Sequence, residues 1–158
     1  MVKAFKVNET SLAHTPRLVA CNYYKLNTYG SARGNPGMPR AGGLIRNAYG
    51  NWIVRFTYNI GICSSIQVKL WGIQTGLQLY WQRQFSNMIV ETDSLLEIHL
   101  INEAFTIRHH LCVLIDDYHS LLNQNWDCSL KHILREGNQC ANFMANLSHG
   151  NPEYYMVF

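Results

Sequence analysis

Apolar and polar positions alternate passably from residue 23 to residue 31, and Gly34-Asn35-Pro36-Gly37-Met38-Pro39 then breaks the pattern. Alternation with period two places successive side chains on opposite faces of a strand, and the Gly/Pro run is turn chemistry. Two more strands are predicted over 42–46 and 52–60, joined by Asn47-Ala48-Tyr49-Gly50, a hairpin turn by composition. The period then changes. Ile66, Leu70, Ile73, Leu77 and Trp81 recur at helical spacing, so a long helix is predicted to run to about residue 83, capped by Ser64-Ser65. The short apolar run Met88-Ile89-Val90, within 85–91, suits a central strand. Asp93-Ser94 opens a helix through Leu95, Leu96, Ile98, His99 and Ile101. A third helix is predicted over 110–122, a strand over 129–134 and a last helix over 139–147. That order describes an α/β domain, a mixed sheet with helices packed on it.

Composition narrows the class without naming a function. A chain of 158 residues with 47% apolar content is long enough to bury one ordinary core and is not a disordered chain. Residues 1–20 have no clear period and read as a loose leader, 21–150 as the domain and 151–158 as a tail. The formal charge of +3 suits a domain that touches nucleic acid but does not argue for one. No apolar run approaches the roughly 18 residues that span a bilayer, and the N-terminus lacks the apolar core of a signal peptide. The expectation is a protein that is not secreted and has no membrane partner, intracellular in the cytoplasm or nucleus. Five cysteines without a C-x-x-C pair read as reduced thiols in such a setting. Asn8-Glu9-Thr10 and Asn146-Leu147-Ser148 are then chance matches to the glycosylation pattern.

Four short segments go further than periodicity. Tyr29-Gly30-Ser31 with Gly34-Asn35-Pro36-Gly37 and Gly42-Gly43-Leu44-Ile45-Arg46 comes first, followed by Gln67-Val68-Lys69-Leu70-Trp71-Gly72. Val90-Glu91-Thr92-Asp93-Ser94 and Leu134-Arg135-Glu136-Gly137-Asn138-Gln139-Cys140-Ala141-Asn142 complete the set. In this order and spacing they resemble the type-1 ribonuclease H family, in the form of the plant ribonuclease-H-like domains related to retroelement polyproteins. The resemblance spans about residues 23–147 and implies a ribonuclease-H-like fold, a five-stranded mixed sheet flanked by helices whose first three strands are antiparallel. It also implies the activity class of RNA–DNA hybrid ribonuclease, nucleic-acid binding and a Mg²⁺ cofactor. In the family, carboxylates occupy the positions of Tyr29, Lys69, Asp93 and Asn142, and only Asp93 is retained here. Gly137 stands in the last loop, so no loop histidine is assigned.

The departures matter because of the family's chemistry. Two Mg²⁺ ions about 4 Å apart activate a water and stabilise the leaving oxygen. Four carboxylates supply about −4 of charge to hold such hard ions; here Tyr29 and Asn142 are neutral and Lys69 cancels Asp93, so the sum is about 0. The resemblance therefore implies a pseudoenzyme, with Asp93 as the single remaining metal ligand and Mg²⁺ held weakly or not at all. The pairing of Lys69 with Asp93 where metal would sit is expected. Three readings stay open: a hybrid- or structured-RNA-binding domain that cuts poorly, a weak metal-dependent nuclease, and a retroelement remnant or protein-contacting adaptor. A monomer is expected in each case.

Plainer readings stand beside these. Asp93 also suits the N-cap of the helix after it. The Gly/Pro stretch from 31 to 43 lacks the Gly-Lys-Ser/Thr ending of a phosphate loop and serves as punctuation between strands. By the resemblance, Asn35, Ser64 and Ser65 would approach the hybrid's minor groove, where 2′-hydroxyls mark the RNA strand. The histidines show no H-E-x-x-H or C₂H₂ spacing and read as solvated or capping groups. Trp52, Trp71, Trp81 and Trp126 read as core or rim aromatics rather than stacking platforms. Lys25, Arg33, Arg40, Arg46, Arg55 and Lys131 read as scattered solvated cations or as a phosphate-binding surface.

Overall fold

The computed structural model describes residues 23–34, 37–103, 111–124, 126–147 and 155–157. The leader over 1–20 and Asn35 lie outside the described residues. The elements run β1 (Tyr23–Gly34), β2 (Gly37–Arg46), β3 (Trp52–Tyr58), α1 (Ser65–Gln82), β4 (Asn87–Thr92), α2 (Leu95–Asn102), α3 (Cys112–Leu122), β5 (Asp127–His132), a single 3-10 turn (Arg135–Asn138), α4 (Gln139–Leu147) and β6 (Tyr155–Val157). They form one sheet in the order β5-β4-β1-β2-β3-β6. β1, β2 and β3 are antiparallel neighbours, while β4 runs parallel to β1 and β5 parallel to β4.

The five expected strands are present, and β6 adds a sixth by pairing antiparallel with β3, Phe56 opposite Val157. The Gly/Pro stretch also differs from its reading as turn chemistry between strands. β1 and β2 continue their ladder almost to its end, with Ser31 opposite Arg40, Ala32 opposite Pro39 and Gly34 opposite Gly37. Composition marks where a chain can turn, but the partner strand decides how far pairing extends. At the other end of β2, Asn47 accepts hydrogen bonds on Oδ1 from the backbone N–H groups of Tyr49 and Asn51, and Gly50 takes a φ of 83°. That closes the turn into β3 where composition placed it.

α1 begins at a reciprocal cap. The Ser64 hydroxyl accepts from Gln67 N–H at 3.3 Å, and the Gln67 side chain accepts from Ser64 N–H at 2.9 Å. Two otherwise orphaned donors are thereby satisfied. Ile73, Leu77 and Tyr80 of this helix bury against Leu26, Ile45, Val54 and Phe56 of the sheet. Trp81, on the flank of the stripe, is 42% exposed and meets Trp126 edge-on. On the opposite sheet face α4 lays Ala141 and Met144 over Leu44, with Tyr29 and Cys140 at the margin. Helices thus cover both faces of the centre of the sheet.

Candidate functional site

Two close backbone approaches build the site. A Cβ on Gly30 would lie 2.9 Å from the backbone nitrogen of Lys69, so α1 packs directly on β1 and carries Lys69 to the end of β4. A Cβ on Gly42 would lie 2.5 Å from the backbone nitrogen of Ala145, so α4 packs as closely on β2 and brings Asn142 in from the other side. Only glycine permits either approach. The 3-10 turn is tied to β1 through buried Asn138, whose Nδ2 donates to the Thr28 carbonyl at 2.8 Å. Between these elements lies an open cleft of about 310 Å³, lined by Tyr29, Asp93, Arg135, Glu136, Asn138, Gln139 and Asn142.

Asp93 sits at its base with a side chain only 4% exposed. Lys69 Nζ stands 3.5 Å from its Oδ1, and Arg135 Nε lies 3.9 Å from its Oδ2. That Oδ2 is buried and accepts no hydrogen bond among the described residues. Asp93 does not cap α2. Ser94 is the N-cap, its hydroxyl accepting from Glu97 N–H at 3.4 Å, and this frees the Asp93 carboxylate to face the cleft.

Glu97 is a participant that the sequence did not reveal. Ser94-x-x-Glu97 spells a capping box, yet the Glu97 side chain turns inward. It is 2% exposed, accepts a hydrogen bond from the Thr92 hydroxyl and lies 3.9 Å from Lys69 Nζ. Burial pushes its carboxyl from the usual 4.5 up to about 7, against the opposing pull of the Lys69 ammonium and the Thr92 hydroxyl. An acidic residue beside Ile98 on an otherwise apolar stretch was the available signal.

Tyr29, Lys69, Asp93 and Asn142 therefore converge on one place. Ser64 and Ser65 do not line the cleft, and the Ser64 hydroxyl is already engaged in capping α1. Arg135, Glu136, Asn138 and Gln139 join the site from the 3-10 turn and the start of α4.

The donor set does not match Mg²⁺. That ion demands near-octahedral oxygen coordination, usually anchored by carboxylates. Here an ammonium approaches one oxygen of the buried Asp93 carboxylate and a guanidinium approaches the other. Among the described residues no three His, Cys, Asp or Glu side chains group as a metal site would require. The arrangement offers cations, amides and a phenol to a polar partner in place of a concentrated negative charge. No helix among the described residues is long and apolar enough to cross a membrane.

A sequence model of the reverse transcriptase-like family matches residues 27–148. A protein of Arabidopsis thaliana named as a ribonuclease H protein is 36% identical over 124 residues, covering 78% of this chain. The chain spans only 20% of that relative's length. Among solved structures, the N-terminal ribonuclease H domain of a Mycobacterium tuberculosis protein superposes with a TM-score of 0.73 at 21% identity, over 80% of this chain and 92% of that one. Ribonuclease H1 from the archaeon Halobacterium salinarum gives 0.73 at 22% identity, over 78% and 95%. A ribonuclease H1 from a compost metagenome, solved in complex with an RNA/DNA hybrid, gives 0.72 at 20% identity, over 78% and 94%. The fold is that of ribonuclease H, and with the family match extending from Asn27 on β1 past the end of α4, the chain belongs to the reverse transcriptase-like family as a ribonuclease-H-like domain.

Proposed function

We propose that this domain binds an RNA/DNA hybrid or structured RNA at the cleft and cleaves it poorly or not at all. The observation that carries the reading is the Lys69 ammonium, 3.5 Å from the one retained carboxylate, Asp93. A cation tethered there neutralises the charge that a metal would need and repels the metal directly. Tyr29 and Asn142 supply no charge in place of the family's carboxylates. The same substitutions reduce repulsion toward phosphate: Lys69 and Arg135 offset Asp93 and Glu136 at the cleft, with the Glu97 carboxyl buried behind them. The hybrid bound by a structural neighbour of the same fold supports this partner class. So does the domain's likeness to a segment of a relative named as a ribonuclease H protein.

The test is cleavage of a labelled RNA/DNA hybrid in Mg²⁺ and in Mn²⁺. It compares the chain itself, its Asp93→Ala variant and a variant restored at Tyr29→Asp, Lys69→Glu and Asn142→Asp. Silence from the chain and cutting by the restored variant is the expected result, with hybrid affinity measurable in both by fluorescence anisotropy. Cutting by the chain that Asp93→Ala abolishes supports the weak metal-dependent nuclease instead. Absence of affinity for hybrid and structured RNA alike leaves the remnant or adaptor reading.

A further inference from the structure

The sheet face that carries α4 extends beyond that helix, and there it becomes basic. Register places two adjacent rows of side chains on it. One row runs Trp52, Arg46, Lys25, Ile89 and Ser129 across β3, β2, β1, β4 and β5. The next runs Arg55, Leu44, Asn27, Glu91 and Lys131 across the same strands; Leu44, Asn27 and Glu91 are buried, with α4 packed on Leu44, so this row reaches solvent at its ends, Arg55 and Lys131. Partners in register point to one side of a sheet, so Lys25, Arg46, Arg55 and Lys131 share this face. At about 4.8 Å per strand the rows extend about 19 Å. Among the described residues Glu91 and Asp127 are the acidic residues that the register adds, and four cations against two carboxylates leave a formal balance of +2 for these groups.

The cations are held in place. The Glu91 carboxylate, 6% exposed, accepts from Lys25 Nζ at 2.9 Å and from Asn27 Nδ2 at 2.9 Å. Arg46 donates to Asn27 Oδ1 at 2.7 Å and stands 3.6 Å from Glu91. Both cationic stems are thereby fixed at the surface, so less side-chain entropy is lost when an anion docks. The face also carries an aromatic. A β-bulge between Ile45 and Arg46 sets Trp52 opposite Arg46, 42% exposed, with the Arg55 guanidinium 5.8 Å from its ring centroid. A solvent-facing ring among cations is what a single nucleic-acid strand engages, with phosphates on the cations and a base on the ring.

We propose that this sheet face is a second nucleic-acid-binding surface, separate from the cleft, that takes a single strand. Charge complementarity selects a polyanion, and Trp52 selects bases over a merely acidic peptide. The inference does not depend on what the cleft binds.

Fluorescence anisotropy of the full chain with labelled oligouridylate tests it across a salt series. Arg55→Glu with Lys131→Glu is expected to weaken binding at least about tenfold, and the corresponding neutral pair Arg55→Gln with Lys131→Gln to lower the salt slope by about 1.4. Trp52→Ala should weaken binding about fivefold or more. Thermal unfolding confirms that each variant folds, and the neutral pair also serves if the charge-reversed protein does not. A loss from Arg135→Ala, in the cleft, as large as that from Arg55→Gln with Lys131→Gln would place the strand in the cleft and overturn the proposal. Equal loss from Arg83→Glu, on the far end of α1, overturns the proposal, as does binding indifferent to Arg55 and Lys131. Displacement of the strand by polyglutamate with no response to Trp52→Ala would reassign the face to an acidic protein segment.

Discussion

Two buried carboxylates near the end of β4 meet opposite circumstances. Glu91 lies on the α4 face with both oxygens satisfied, by Lys25 on one and Asn27 on the other, and Arg46 close behind. Asp93, two residues on, has an ammonium at the outer limit of a hydrogen bond and an oxygen with no donor among the described residues. A carboxylate with both oxygens satisfied stiffens a sheet, whereas a half-satisfied one holds unused capacity to bind. The first is structural support and the second is where a ligand would be accommodated. Glu97, behind Asp93, adds a buried carboxyl whose balance depends on the same lysine.

That contrast can be broken most forcefully at Glu91. Glu91→Ala leaves Lys25, Asn27 and Arg46 without their shared acceptor, and about 3–4 kcal/mol should be lost in urea unfolding. A loss below about 1 kcal/mol would show the cluster to be ornamental.

The Asp93 side should respond to pH. The folded pKa of Glu97 is raised, from 4.5 to about 7, so its contribution is complete below 4.5 and is lost as pH rises through about 7. Stability should therefore fall by up to about 3 kcal/mol across that window. Glu97→Gln should flatten the profile, and an unchanged slope in the variant would remove Glu97 from the account.

Gly42→Ala separates the regions from a third direction. Its new Cβ presses on the α4 backbone, which should cost about 2 kcal/mol and shift Asn142 away from the cleft. The Lys25–Glu91 pair, anchored between β1 and β4, should persist, and the chemical shifts of the two sites would report this separately. The smallest effect belongs to Lys69→Met. It removes a partial contact, so roughly 1 kcal/mol is expected, while the Glu97 transition moves above pH 7 because the lysine holds that carboxyl down. A downward move would contradict the geometry.

Much of the fold was legible beforehand. The stripe from Ile66 to Trp81 and the cap expected at Ser64-Ser65 specify α1 within a few residues. α4 begins and ends at Gln139–Leu147, the span its pattern predicts. Around the cleft, the four segments located Tyr29, Lys69, Asp93 and Asn142 by resemblance, and their order along the chain suited a common place. Other features stayed hidden. Residues 154–158 are rich in strand-forming types but too short to declare a strand alone, because a three-residue edge strand depends on β3 being there to pair with. The Asn27–Glu91 contact joins residues 64 apart, and Asn138–Thr28 joins residues 110 apart.

The sequence alone determined most of the helices and strands and which carboxylates are missing, since periodicity, capping and residue identity are local properties. Only the tertiary structure decided that Ser94 rather than Asp93 caps α2 and that Glu97 turns inward to Lys69. It likewise decided that four scattered cations share one sheet face. Those outcomes depend on strand register and helix docking, where a shift of one residue would send each side chain to the opposite face.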